Sequence, residues 1–198
     1  MPYRAPLPDY QFLFDHVVGL SDVVAQERFA EATSDVTSAI LTEAGRLSED
    51  VLAPLNVAGD LTPARLENGV VRTSPGFAEG YKAIAEGGWV GISADPEYGG
   101  MGLPMTVSTA VNEMMAAGCL ALQLAPMLSQ GQIEALEHHA SDDLKAAYLP
   151  KLISGEWTGT MNLTEPHCGT DLGLLKTKAV PNGDGSYKIS GQKIFISA

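Results

Sequence analysis

The side chains that could do chemistry are concentrated in one stretch, MNLTEPHCGTD, at residues 161–171. It places an imidazole and a thiol next to each other at His167 and Cys168. A thiol nucleophile or a zinc ligand is one interpretation, but zinc needs a further pair of ligands at a workable spacing, and the sequence offers none. The alternative is structural, with the stretch forming a strand end followed by a turn. We therefore predict no metal site here.

Two other patterns resemble functional motifs but do not fit their geometry. His138 and His139 are neighbours on a predicted helix, so their side chains point about 100° apart and cannot chelate one ion together. The run GGMG at residues 99–102 has the glycines of a dinucleotide fingerprint but lacks the preceding strand and the following helix. We interpret the histidines as a solvated helix end and the glycines as part of a turn-rich loop.

Hydrophobic periodicity predicts helices over the first three quarters of the chain. Apolar residues at spacings of three and four favour a helix over residues 34–55, which Pro54 should end. The helix over residues 105–122 is hydrophobic nearly all round and should be central in a bundle. Other predicted helices cover residues 9–18 with Asp9 as N-cap, 22–32, 75–86, 127–139, and 142–152 with Ser141 as N-cap, while residues 56–73 and 92–104 are predicted to be loops.

From about residue 155 the pattern changes to one typical of strands. Strands are predicted over residues 157–163, 176–180 and 187–196, and PNGDG at residues 181–185 is a hairpin turn signal. The fold class is therefore mainly α: an N-terminal helical bundle domain followed by the beginning of a β-barrel-like domain. We expect an extension over residues 1–33, a helical domain over 34–155 and first strands over 156–198. So few strands would leave an edge unpaired, which suggests a fragment.

Composition excludes several classes of function. Twelve basic against 24 acidic residues give a net charge of -12, so nucleic acid is not expected as a partner. A phosphate-bearing ligand would need a local exception made by backbone N–H groups or a few basic side chains. Two cysteines do not make a disulfide framework, and we expect reduced thiols. We see neither a signal peptide nor an apolar run near the roughly 20 residues of a membrane span, so we expect a cytoplasmic protein.

Five segments, in this order and at these spacings, resemble those of the acyl-CoA dehydrogenases. They are ADPEYGGMGL at residues 94–103, LPKLISGEW at 149–157, LTEPHCGTD at 163–171, KTKA at 176–179 and GQKIFIS at 191–197. Thr170 stands where the family signature has Ser. The opening residues 3–14 are similar to the extension of longer members, which include the 3-methylmercaptopropionyl-CoA dehydrogenases. The resemblance implies a helical, a β and a second helical domain, of which this chain would hold the front part.

The resemblance also implies an FAD-dependent oxidation of an acyl-CoA thioester between Cα and Cβ. No amino acid accepts a hydride, so a flavin is required. Phe195 stands where many members have Trp, Ser197 where the family has Thr, and Met161 departs from an aromatic residue. Thr170 is expected to bind the CoA arm of the substrate or the flavin pyrophosphate. The residues implied to contact FAD are Met161, Asn162, Leu163, Thr164, Gly169, Thr170, Phe195, Ile196 and Ser197.

No catalytic residue is predicted in this chain, because the family's carboxylate base lies in the C-terminal helical domain. Glu165 belongs to the signature loop and is not assigned that role. Implied partners are an acyl-CoA substrate, an electron-transfer flavoprotein or similar acceptor, and further copies of the chain in a homodimer or homotetramer. An acyl-CoA oxidase of the same fold remains an alternative, and a non-catalytic helical binding module is one from another class.

Overall fold

The chain folds into two compact units that meet in sequence at Gly159 and Thr160. The computed structural model describes residues 3–196. The first unit is helical, and the second contains turns and one β-hairpin. The mainly helical fold predicted from periodicity is thus confirmed.

The first unit is built from seven α-helices and a small hairpin within its described residues. The helices are α1 Leu7–His16, α2 Leu20–Val24, α3 Ser34–Leu47, α4 Ala53–Leu61, α5 Phe77–Glu86, α6 Met105–His139 and α7 Asp142–Ile153. Short 3-10 turns cover Glu27–Phe29, Trp89–Gly91 and Pro96–Tyr98. Ser141 lies at the predicted N-cap of α7, but its side chain makes no capping hydrogen bond. The predicted helix over residues 22–32 is wrong in length, because α2 ends at Val24.

Helix α6 forms the centre of the helical unit, as its hydrophobic surface predicts. It packs against α3, α4, α5 and α7, and its buried side chains include Val107, Val111, Met114 and Met115. By length and mean hydropathy alone, α6 could also cross a membrane. We interpret it as a core helix because the other helices of the same unit surround it.

The backbone of α6 leaves helical geometry at Cys119, with φ −154° and ψ 89°. Asn112 donates to the Gln130 side chain at 2.9 Å and accepts from Gln123 at 2.9 Å. Eighteen residues of straight helix would span about 27 Å, so the two halves of α6 must fold toward each other. The sequence predicted two helices separated by residues 123–126; the break is instead at Cys119, and Pro126 lies inside the second half.

The prediction that Pro54 ends a helix is wrong. A π-helical turn over Ser48–Leu52 follows α3, and α4 begins at Ala53. The wider hydrogen-bond spacing of the π turn restarts the register, so Pro54 falls in the first turn of α4, where a missing N–H is tolerated. The helix then continues to Leu61, through residues that were expected to be loop.

A small hairpin also occupies part of that predicted loop. Strands β1 (Arg65–Glu67) and β2 (Val70–Arg72) pair antiparallel around Asn68 and Gly69. Both turn residues have positive φ, at 52° and 79°, as a type I′ turn requires. The Asn-Gly pair is a hairpin signal that the loop prediction overlooked.

The N-terminal segment packs onto the helical unit and contributes to its core. Tyr10 and Phe14 of α1 are buried. The backbone N–H of Ala5 donates to Glu49 at 2.9 Å, and Arg4 forms an ion pair with the same carboxylate. Helix α1 begins at Leu7, so Asp9 lies in its first turn rather than at the predicted N-cap.

The second unit is organised by turns more than by strands. Strands β3 (Lys178–Pro181) and β4 (Tyr187–Ser190) pair antiparallel, which confirms the hairpin predicted from PNGDG. Between residues 157 and 163 the structure has no strand, and β4 ends six residues before the predicted limit at Ile196. These stretches have no neighbouring strand to pair with among the described residues, so strand propensity alone does not give them a ladder.

Candidate functional site

Two segments of the second unit, distant in sequence, lie side by side. The backbone N–H of Ile194 donates to the carbonyl oxygen of Thr164 at 3.0 Å. The ammonium group of Lys193 donates to the carbonyl oxygen of Leu163 at 2.9 Å. Residues 161–164, which the resemblance assigns to the flavin, are therefore neighbours in space of residues 193–196, which include the implied flavin contacts Phe195 and Ile196.

Glu165 lies at the centre of the contacts that join these segments. Glu165 is only 2% exposed, although its side chain carries a carboxylate. It accepts hydrogen bonds from the backbone N–H of Lys176 at 2.8 Å and of Thr177 at 3.0 Å. The Lys193 ammonium donates to it at 2.9 Å. Burying a carboxylate is costly unless donors and an opposite charge replace water, and all of these are present.

The same neighbours control the protonation of this carboxylate. The Thr177 side chain, the backbone N–H of Lys176 and the Lys193 ammonium hold the pKa of Glu165 well below its ordinary value. Burial acts in the opposite direction but is outweighed. Glu165 is thus ionised at neutral pH, and a group of such low basicity is poorly suited to abstracting a weakly acidic proton.

Apolar side chains are exposed on both neighbouring segments. Met161 and Leu163 are exposed on the first segment, and Ile196 and Phe195 on the second. Phe195 is 83% exposed and has φ 54°, a left-handed conformation that is uncommon for an aromatic residue. An unusual backbone at an exposed aromatic side chain fits a surface that receives a flat apolar ligand. Asn162 is also exposed, and Ser197 lies outside the described residues.

A tight turn follows the first segment. The backbones of Glu165 and Cys168 exchange two hydrogen bonds, at 2.9 and 3.1 Å. Thr170 is exposed, and the Asp171 side chain accepts from the Gly173 N–H at 3.1 Å. Asp171 therefore caps a turn, in agreement with the turn expected in the structural alternative for residues 161–171. At Gly169 an added Cβ would meet only a methyl group of Thr164 at 3.6 Å, so local packing does not require glycine there.

Folding brings together three residues that could bind a metal ion. Candidate ligand atoms of Glu165, His167 and Cys168 all lie within 4.8 Å of one another. The sequence argument missed Glu165 as a third ligand. However, Glu165 already pairs with Lys193, and His167 Nε2 lies 2.9 Å from the carbonyl oxygen of Leu174, where it serves as a donor. A cation would have to displace both contacts. Cys119 and Cys168 are free thiols, as expected.

The helical unit holds a cavity of about 380 Å³. It lies between the 3-10 turns at Glu27–Phe29 and Trp89–Gly91 on one side and both halves of α6 on the other. A cavity of this volume suits a small ligand. Its lining combines apolar and polar side chains, among them Val90, Leu103, Met105, Met127, Gln130 and Glu134. Methionine side chains adapt readily to the shape of an apolar ligand.

Sequence reasoning missed the link between Glu165 and Lys193. The two residues are 28 positions apart, so no local pattern connects them. The only available signal was a general one: a carboxylate in an otherwise apolar and turn-rich stretch needs a partner if it is buried.

Comparison with known proteins identifies the family of this chain. Residues 34–156 match the acyl-CoA dehydrogenase N-terminal domain. The chain belongs to the acyl-CoA dehydrogenase family. Its match with the 3-methylmercaptopropionyl-CoA dehydrogenase of Ruegeria pomeroyi is 43% identical over 197 residues, covering 100% of this chain and 34% of that protein. The chain therefore spans about a third of the length of this relative.

Two solved structures share the fold. The glutaryl-CoA dehydrogenase in complex with glutaryl-CoA is similar at TM-score 0.70 and 24% identity, covering 83% of this chain and 40% of that one. The FAD complex of PigA is similar at TM-score 0.68 and 24% identity, with the same coverage. At these identities the likeness concerns the fold.

Proposed function

We propose that the protein containing this chain is an FAD-dependent acyl-CoA dehydrogenase that oxidises an acyl-CoA thioester to the 2-enoyl-CoA. The observation that carries the proposal is the juxtaposition of residues 161–164 and 193–196 through the Ile194–Thr164 and Lys193–Leu163 hydrogen bonds. Bound FAD would supply the hydride acceptor that amino acids lack. The chain would contribute one wall of the cofactor site and part of the substrate site.

The residues of this wall would have distinct roles. The exposed side chains of Met161, Leu163 and Phe195 would cover apolar parts of the ring. Backbone groups of residues 162–164 and 195–197, with the hydroxyls of Thr164 and Ser197, would hydrogen-bond its polar rim. Gly169 and Thr170, in the exposed turn, would reach the CoA arm or the flavin pyrophosphate.

We further propose that the cavity beside α6 receives the acyl group. The 43% identical relative acts on 3-methylmercaptopropionyl-CoA according to its name, so a short sulfur-containing acyl group is the first substrate to test. The carboxylate that takes the α proton would come from a C-terminal helical domain. Electrons would pass to an electron-transfer flavoprotein or a similar acceptor, and the enzyme would be a cytoplasmic homodimer or homotetramer. We also propose that residues 1–33 form an N-terminal extension, residues 34–155 a helical domain and residues 156–198 the first part of a β domain.

Spectroscopy and turnover of the complete protein test this proposal. We expect the flavin absorbance bands and the reduction of an artificial electron acceptor when 3-methylmercaptopropionyl-CoA or a straight-chain acyl-CoA is added. Formation of hydrogen peroxide in place of acceptor reduction would indicate an oxidase. A colourless protein that cannot be reconstituted with FAD would contradict the proposal and favour a helical binding module.

A further inference from the structure

The Glu165–Lys193 pair joins three parts of the second unit that lie near the proposed flavin wall. Through its carboxylate, Glu165 holds the N–H groups of Lys176 and Thr177. Through its ammonium group, Lys193 binds this carboxylate and the Leu163 carbonyl oxygen, both at 2.9 Å. One ion pair, formed by a buried Glu165 and a half-buried Lys193, thus ties together the turn at residue 165, the chain entering β3 and the segment after β4.

These contacts hold residues 161–164 and 193–196 in a fixed relative position, as the hydrogen-bond ladder of a sheet would otherwise do. Strands β3 and β4 end at Pro181 and Ser190, so the hairpin ladder does not reach residues 193–196. Among the described residues, the hydrogen bond from the Ile194 N–H to the Thr164 carbonyl oxygen is the one main-chain link between the two segments. A single backbone bond constrains spacing and tilt poorly, and the two Lys193 bonds add two further fixed points.

Gly191 allows this close approach. It has φ 150°, and an added Cβ would lie 2.1 Å from the Thr177 hydroxyl oxygen and 2.7 Å from the Thr177 Cα. The chain therefore passes directly over Thr177 two residues before Lys193. A larger residue would push residues 193–196 away from the carboxylate that holds them.

We propose that Glu165 and Lys193 are positioning residues that set the spacing between segments 161–164 and 193–196, and thereby the affinity and environment of the flavin. This inference rests on the proposed function. The pair does not contact the cofactor in this scheme; it acts through the backbone of Leu163, Thr164 and Ile194. Its effect should therefore appear in properties of the bound flavin and not only in protein stability.

The test uses the complete, FAD-loaded protein and three variants. Lys193→Met keeps the apolar stem but removes the ammonium group, Lys193→Arg restores charge and donors, and Lys188→Met removes an exposed lysine of β4 as a matched control. We expect Lys193→Met to raise the FAD dissociation constant about tenfold, the loss typical of a charge-assisted hydrogen bond. The visible circular dichroism and the reduction potential of its flavin should also change. Lys193→Arg should recover most of the affinity, and Lys188→Met should stay within about twofold.

A folded Lys193→Met protein with unchanged FAD affinity and an unchanged flavin spectrum would overturn the inference, even if its melting temperature fell. If Lys193→Met does not fold, Glu165→Gln answers the same question, because its amide keeps one acceptor oxygen and loses the charge. Equal FAD affinity in Glu165→Gln and the unsubstituted protein would likewise overturn it. Failure of the unsubstituted protein to bind FAD would instead refute the proposed function.

Discussion

Burial of the Glu165 carboxylate costs free energy, but the same carboxylate links distant parts of the second unit. Its carboxylate is removed from water, and it recovers the lost hydration from two backbone N–H groups and one ammonium group. Breaking such a buried pair by removing one partner is more disruptive than losing an exposed ion pair, because the remaining charge stays uncompensated. The low pKa of Glu165 follows from these same contacts, which stabilise the charged form.

The lowered pKa of Glu165 predicts a loss of stability in acid. The folded pKa lies below the unfolded value of about 4.3, so the contribution is complete above that pH and disappears as pH falls through the folded pKa. In Glu165→Gln this contribution is absent at every pH. Urea midpoints measured from pH 7 to pH 3 should therefore fall less steeply for Glu165→Gln. Parallel curves for the two proteins would contradict the prediction.

The raised pKa of Tyr10 predicts a loss of folding stability at alkaline pH. Burial, the Glu113 carboxylate and Tyr3 together raise the pKa of Tyr10 to about 12. The unfolded phenol loses its proton near pH 10, whereas the folded one keeps it, so stability should fall as pH rises from about 10 to 12. Tyr10→Phe should flatten this limb in thermal unfolding between pH 9 and pH 12. A limb that keeps its slope in Tyr10→Phe would argue against a buried Tyr10 phenol.

At the scale of elements, the break in α6 has a clear structural consequence. Asn112, Gln123 and Gln130 form a chain of side-chain amides between its two halves, and Gln130 also donates to the Trp89 carbonyl oxygen. Gln123 is buried, and its side-chain N–H bonds to Asn112 although its Oε1 atom has no hydrogen-bond partner among the described residues. The bonds between the two halves favour the fold-back geometry. The cavity proposed for the acyl group lies against the same two halves.

Two glycines near this region should respond oppositely to the same substitution. An alanine Cβ at Gly100 would lie 2.0 Å from the Ala94 carbonyl oxygen, a contact that the loop backbone must move to relieve. At Gly131, inside α6, the added Cβ would meet no atom within 4 Å apart from its chain neighbours and the backbone of its own helix. Gly100→Ala should destabilise by about 1–3 kcal/mol. Gly131→Ala, the matched control, should stabilise by about 0.5–1 kcal/mol through its higher helix propensity.

Urea unfolding monitored by tryptophan fluorescence would measure both substitutions. Trp89, which is buried beside the loop containing Gly100, is a suitable reporter. A neutral Gly100→Ala would mean that the loop relaxes more easily than its hydrogen bonds suggest, including the Gly102 N–H to Ala94 bond of 2.9 Å. A destabilising Gly131→Ala would show that the space beside Gly131 is needed.

At the scale of the whole molecule, the chain corresponds to about a third of its 43% identical relative. In the proposed function, the catalytic base would come from a C-terminal helical domain and not from these 198 residues. We therefore predict that this chain alone shows no acyl-CoA dehydrogenase turnover, while the complete protein does. The measurement is acceptor reduction with an acyl-CoA at equal molar concentrations of the two proteins. Turnover by the chain alone above the no-enzyme background would contradict the assignment of the base.

Much of the fold could be predicted because its signals are local. The spacing of apolar residues located α3, α5 and α7, and PNGDG located the β3–β4 hairpin. The errors arose where a local rule was overridden by its neighbourhood. Pro54 did not end a helix, because the preceding π turn changed its position in the hydrogen-bond register.

The same distinction between local signals and long-range contacts applies to the candidate site. Sequence alone determined the family, the helical class and the two segments that carry the flavin-site motifs, since motif order and periodicity are properties of the chain itself. Only the tertiary structure decided that Thr164 and Ile194 are hydrogen-bonded, that Glu165 is buried against Lys193, and that α6 folds back at Cys119. The physical reason is that these contacts depend on the path of the chain between distant residues. A buried charge requires a partner, but only the fold determines which residue that partner is.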